Sequence, residues 1–320
     1  MQSASPTRTA ASLRALLEGL IDYAGLFPPA ALDMPTAVAN YAKYLAGEHR
    51  WALGRFIVPA ARLEEFRGAQ QAAIDPERQD GTLPWQISAI VGVDVQSELK
   101  LIAQFNTKSS AKAVVDVVEA KASTVDDVRR NVPLIPKEIT AYLEIAANSE
   151  PEMFRVLAAS GVRAKIRTGG VVESAFPSVE QVAEFIIGCT EARVPFKATA
   201  GLHHPLRCAK PLTYASDAPR GTMHGFLNVF MAASACTELR EQESGRTRES
   251  LKNALVAILM NEDPERFIFG EEKAILRGLS NRDLEIPTEV VRDTRRNVAI
   301  AFGSCSFEEP IEDLRGFHLL

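Results

Sequence analysis

Two lysines in near-matching settings carry the strongest chemical signal in this chain. Lys165 lies in Val162-Arg163-Ala164-Lys165-Ile166-Arg167-Thr168-Gly169-Gly170, and Lys197 in Pro195-Phe196-Lys197-Ala198-Thr199-Ala200-Gly201. Each sits on a short apolar run, four residues ahead of a glycine. A lysine on a core strand is costly unless it is paired or put to use. Two on neighbouring strands are the arrangement that lowers an amine pKa and makes a nucleophile for a carbonyl carbon. Carboxylates stand on the runs before them: Asp116 or, on the other parity, Glu119, and then Glu144. The bland alternative is a buried ion-pair network without chemistry. Perturbed groups cluster at functional sites, which favours a site when two lysines and two carboxylates converge.

The elements that must position these groups alternate. Short apolar runs at Arg55–Ala60, Gln86–Gly92, Ala113–Glu119, Thr140–Ala146, Val162–Thr168 and Pro195–Gly201 read as strands. Between them, Ala61–Ala73, Ser97–Phe105, Thr124–Asn131, Pro151–Ser160 and Val179–Thr190 have helical spacing. Strands apolar throughout and alternating with helices indicate a parallel sheet covered on both faces. Six such units with room for two more predict a (β/α)8 barrel. Strand seven is expected at Arg266–Gly270 and strand eight at Val298–Cys305, with helices at Gly225–Glu238, Ser250–Asn261 and Thr288–Arg296. Residues 1–50 are expected to form an N-terminal helical extension packed on the barrel, with two helices broken at Gly25-Leu26-Phe27-Pro28-Pro29; residues 51–320 form the barrel as one domain. In the extension, Asp22 and Tyr23 reach substrate if the segment caps the C-terminal mouth and do not if it plugs the bottom.

The run from Asp116 to Gly201 resembles the core of the deoxyribose-phosphate aldolase family, class I aldolases built on a (β/α)8 barrel. The matching pieces come in order: Val115-Asp116-Val117-Val118, Tyr142-Leu143-Glu144, Lys165-x-x-Thr168-Gly169, and Phe196-Lys197 with Gly201 four residues on. Phe302-Gly303-Ser304-Cys305-Ser306 resembles the final strand and its small-residue loop. The resemblance implies a Schiff-base role for Lys165, a neighbouring cation at Lys197 that depresses its pKa, and an acid/base relay at Asp116. Glu144 matches a motif position to which the resemblance gives no role. Where the family has a double glycine after the second lysine, this chain has Ala200-Gly201-Leu202-His203-His204-Pro205. No cofactor is implied.

An anionic carbonyl substrate is expected, with phosphate slightly ahead of carboxylate. Its partners would be Arg167, Thr168, Thr199, His203, His204 and the backbone and hydroxyls of Gly303, Ser304 and Ser306, because barrels commonly bind phosphate near their last strands. One alternative is a metal-dependent hydrolase or isomerase using Glu144 with His203, His204 or His224; adjacent residues on an extended strand face opposite ways, so the His203-His204 pair does not serve one metal. Another is a barrel that binds an anionic metabolite without chemistry.

At 320 residues, with 46% hydrophobic and 24% charged residues, the chain has the composition of a globular protein with a sizeable core. A net charge of −5 with no basic cluster argues against nucleic acid. No stretch approaches the ~18 apolar residues of a membrane span. Four scattered cysteines without a CxxC pair fit a reduced, cytoplasmic protein. Self-association is left open.

Overall fold

The computed structural model describes residues 9–73, 84–109, 111–242, 247–279 and 282–320. The chain begins with α1 (Ala11–Leu17), β1 (Ile21–Tyr23) and α2 (Met34–Ala46). Alternation then runs through β2 (Leu53–Pro59), α3 (Leu63–Ala73), β3 (Trp85–Ile90), α4 (Val95–Ser109), β4 (Ala113–Lys121), α5 (Val125–Asn131), β5 (Thr140–Ile145), α6 (Pro151–Ser160), β6 (Arg163–Arg167), α7 (Val179–Ala192) and β7 (Phe196–Thr199). After a short hairpin, β8 (Cys208–Pro211) with β9 (Arg220–Met223), come α8 (Phe226–Gln242) and α9 (Arg248–Leu259). A three-stranded antiparallel sheet, β10 (Phe267–Phe269), β11 (Lys273–Leu279) and β12 (Arg282–Pro287), precedes α10 (Thr288–Asn297), β13 (Ala299–Ser304) and α11 (Glu308–Gly316).

Strands β1 to β7 and β13 close into an eight-stranded barrel in which β13 lies between β7 and β1. Every neighbouring pair in it is parallel. This is a (β/α)8 TIM barrel. Local sequence explains the helix boundaries. Thr124 with Asp127 and Ser178 with Gln181 form capping boxes that start α5 and α7, and Gly161 ends α6 in a left-handed turn. Helix α8 is buried nearly all round, and Phe226 stacks on Phe302 of β13 at 5.2 Å. Among the described residues no helix is long and apolar enough to cross a membrane.

Two expected elements differ. Where two helices broken at Gly25–Pro29 are expected, the N-terminal segment contains the first barrel strand, Ile21–Tyr23, paired with both β13 and β2. The Leu13-Leu16-Leu17-Leu20-Ile21 stripe is not one helix, because Gly19 at φ +57° ends α1 in a left-handed turn. Strand seven of the barrel is not Arg266–Gly270. That run forms β10, antiparallel to β11, because the chain reverses in a tight turn where Gly270 N–H donates to Lys273 O instead of entering a helix.

Candidate functional site

Parallel register sets the site. Glu144 of β5 pairs with Lys165 of β6, and Lys165 with Lys197 of β7, so the three stand in one row across adjacent strands. Glu119 of β4 reaches both amines. Its carboxylate lies 2.8 Å from Lys165 Nζ through Oε2 and 2.6 Å from Lys197 Nζ through Oε1, which also accepts a hydrogen bond from Ser88 Oγ at 2.7 Å. Lys165 has a second partner in Glu144 at 2.8 Å, and Lys197 has one in Asp22 at 2.6 Å. Arg167 donates to the other oxygen of Glu144 at 3.1 Å. Three cations (Lys165, Lys197, Arg167) thus meet three carboxylates (Asp22, Glu119, Glu144), and the cluster is electroneutral.

The electrostatics follow from that pairing. Burial opposes the charge on Lys197, but Asp22 and Glu119 outweigh it and hold its pKa above the ordinary lysine value. Burial alone would raise Glu119; the two ammonium groups reverse this and leave it well below the usual carboxylate range. Glu144 is held low in the same way, by Lys165 and then Arg167 against burial. The charge of Lys197, the neighbouring cation that the resemblance implies, is matched by two carboxylates.

Asp116 stands apart from this row. Its carboxylate is gripped by Arg55, with Nε to Oδ1 at 2.8 Å and Nη2 to Oδ2 at 2.6 Å, and neither lysine is its partner. The cause is a bulge. Val115 pairs with Ile87 and Val117 with Ser88, leaving Asp116 as the extra residue and shifting the alternation that follows. Glu119, downstream of the bulge, takes the contact with both amines. Asp22, placed by the closing strand β1, and Ser88 complete the charge network; neither carries a sequence motif that marks it.

A cavity of about 760 Å³ opens above the row at the C-terminal ends of the strands. Lys165, Glu119, Glu144, Arg167, Thr199, His203 and Gly303 line it, whereas Lys197 and Asp22 lie beneath. Lys121 at the end of β4 and Arg130 of α5 also line it, Arg130 paired with Asp127. Of the expected ligand residues, Thr168 is turned away: its hydroxyl donates to Ala200 O at 2.6 Å, and it is fully buried. The glycine after each lysine has a packing reason. A Cβ on Gly169 would lie 2.8 Å from Gly201 Cα and 2.5 Å from the Phe176 ring, so the two loops touch backbone to backbone.

His203 and His204 both approach Glu309, the second through Nε2 at 4.0 Å, while His224 stands apart. His203 Nδ1 is 3.3 Å from Glu309 and 3.9 Å from Cys305 Sγ, His204 Nδ1 is 2.6 Å from Asp313, and His224 Nε2 is 2.9 Å from Pro177 O. Among the described residues no group of three or more His, Cys, Asp or Glu has metal-holding geometry. In the Gly303–Ser306 turn, Ser304 Oγ accepts from Ser306 N–H and Ser306 Oγ from Glu309 N–H, with Glu308 and Glu309 opening α11. Both hydroxyls cap the turn itself.

No family model and no curated protein matches the chain. Solved structures do. One is deoxyribose phosphate aldolase from Aeropyrum pernix, at 12% identity, covering 62% of this chain and 87% of that one with a TM-score of 0.39. A FabK mutant from Thermotoga maritima has 12% identity over 96% and 99% of the two chains, with a TM-score of 0.35. A putative dihydrodipicolinate synthase family protein from Coccidioides immitis has 13% identity over 88% and 95%, with a TM-score of 0.36. The barrel assignment rests on this chain's own strand pairing.

Proposed function

We propose that the chain is a class I aldolase-like lyase, forming or breaking a carbon–carbon bond through a Schiff base between Lys165 and a small anionic carbonyl compound. The observation that carries this reading is asymmetry within the lysine pair. Lys165 and its partner Glu144 face the cavity, while Lys197 is sealed beneath with Asp22. Glu144, 2.8 Å from the amine, is placed to take its proton. The freed amine attacks the carbonyl carbon, and the same carboxyl group returns the proton as the carbinolamine loses water. The iminium then carries its charge where the ammonium stood, so Glu119 remains its counter-ion. Lys197 keeps Glu119 ionised and fixed, acting through it instead of touching substrate.

The substrate's charge is supported by Arg167, Lys121, Arg130 and His203 around the cavity. Neither Ser304, which is buried, nor Ser306 lines the cavity, and two glutamates follow them, so the geometry supports a carboxylate over a phosphate ester. Incubation with pyruvate or glyoxylate and borohydride should add one reduced adduct by intact mass, and Lys165→Arg should abolish it. The electroneutral cluster favours a second reading, an anion-binding barrel without chemistry; in that case Lys165→Arg keeps the binding and wild-type protein forms no adduct.

A further inference from the structure

On the cavity wall formed by the end of β13, Cys305 lies against His203, with Sγ 3.9 Å from Nδ1. The same nitrogen is 3.3 Å from Glu309 of α11. Tyr214 reaches the sulfur at 3.8 Å and Glu309 at 3.5 Å from the other side. The remaining cysteines lack such a setting: Cys189 and Cys236 are sealed in the core, and Cys208 is on the hairpin strand β8. A thiol beside a charged imidazole is a setting that favours the thiolate nucleophile, and Glu309, sharing the same Nδ1, keeps that imidazole charged and in place. Here it faces a cavity that already holds an amine and a surplus of cationic side chains.

We propose that Cys305 is a second nucleophile of this cavity, activated by His203, and that it takes the electrophilic carbon of a small anionic carbonyl compound as a hemithioacetal. The step balances without an oxidant. The thiol gives its proton to solvent, the S–C bond forms, and the carbonyl π pair moves to oxygen, which takes a proton from solvent; the His203 imidazolium stays charged beside the sulfur throughout. Glu309 is a positioning residue that holds the imidazole against the thiol. Burial lowers the His203 pKa, while Cys305 and Glu309 raise it to about 9, so the ring carries an N–H toward the sulfur at neutral pH. The titratable groups facing the thiol are His203, Glu309, Tyr214 and, from β1, Tyr23.

The probe is iodoacetate, an anionic electrophile, compared with neutral iodoacetamide. Alkylation forms the S–C bond and releases iodide, and peptide mapping reads each cysteine separately. Burial pushes the Cys208 thiol up to about 11, so the reference is the cysteine of an unfolded peptide, an ordinary thiol only a few per cent thiolate at pH 7, and Cys305 should react roughly tenfold faster than it. Iodoacetate should be at least as fast as iodoacetamide at Cys305 alone. His203→Gln should slow the reaction to the reference-peptide rate, and Glu309→Gln should slow it in part, with far-UV circular dichroism confirming that each variant is folded. Glyoxylate should protect Cys305, and glycolate, which has no carbonyl, should not. Repeating the protection in Lys165→Met separates this site from the Schiff-base reading, because protection should persist there. A Cys305 rate equal to that of the reference peptide, no effect of either variant, or equal protection by glycolate would overturn the proposal.

Discussion

Glu119 is the residue on which the charges turn, since one buried carboxylate holds both lysines. Glu119→Gln removes a charge and leaves Lys197 buried with Asp22 alone, so urea unfolding at neutral pH should show a loss of about 3–5 kcal/mol. A loss under 1 kcal/mol, on the order of an exposed pair, would contradict the bridging role. The residue types were visible in the sequence and their choice was not: alternation left Asp116 and Glu119 as competing parities, and a bulge that no residue type announces decided between them. His203 makes a pH-dependent contribution. Its folded pKa of about 9 exceeds the ordinary 6.5, so its stabilisation is fully present below pH 6.5 and is lost as pH rises through 9. Melting temperature should fall across that window, and His203→Gln should flatten the fall.

At the scale of elements, the two lysine strands are tied by their loops. Gly169 and Gly201 meet with no room for a side chain, and Thr168 bonds across to Ala200. Gly169→Ala should cost about 1–3 kcal/mol by overpacking and should weaken any ligand of Arg167 or Thr199, as read by calorimetric titration and thermal melts. An unchanged melting temperature would mean that the loops have slack. Six strands and their helices were legible from apolar runs because parallel barrel strands are apolar throughout. The three-residue β1 was not: it is too short for a period, and the leucines before it continue a helical spacing across Gly19. Phe267–Phe269 is apolar like a barrel strand, and only the hairpin partner that follows reveals its other role.

For the whole molecule, β1 makes the N-terminal segment part of the closed sheet and supplies Asp22 to Lys197. Deleting residues 1–24 should therefore leave insoluble or molten protein, whereas an appended helical extension could be removed with little effect on folding; near-UV circular dichroism distinguishes the outcomes. The same closure seats Lys197 under the cavity floor and leaves Lys165 as the amine that a ligand can meet. The most direct measurement is the location of the borohydride-trapped adduct. After treatment with pyruvate or glyoxylate, proteolysis and peptide mapping should find the added mass on Lys165 and on no other lysine. An adduct on Lys197, an adduct spread over surface lysines, or no adduct at any lysine would contradict the account.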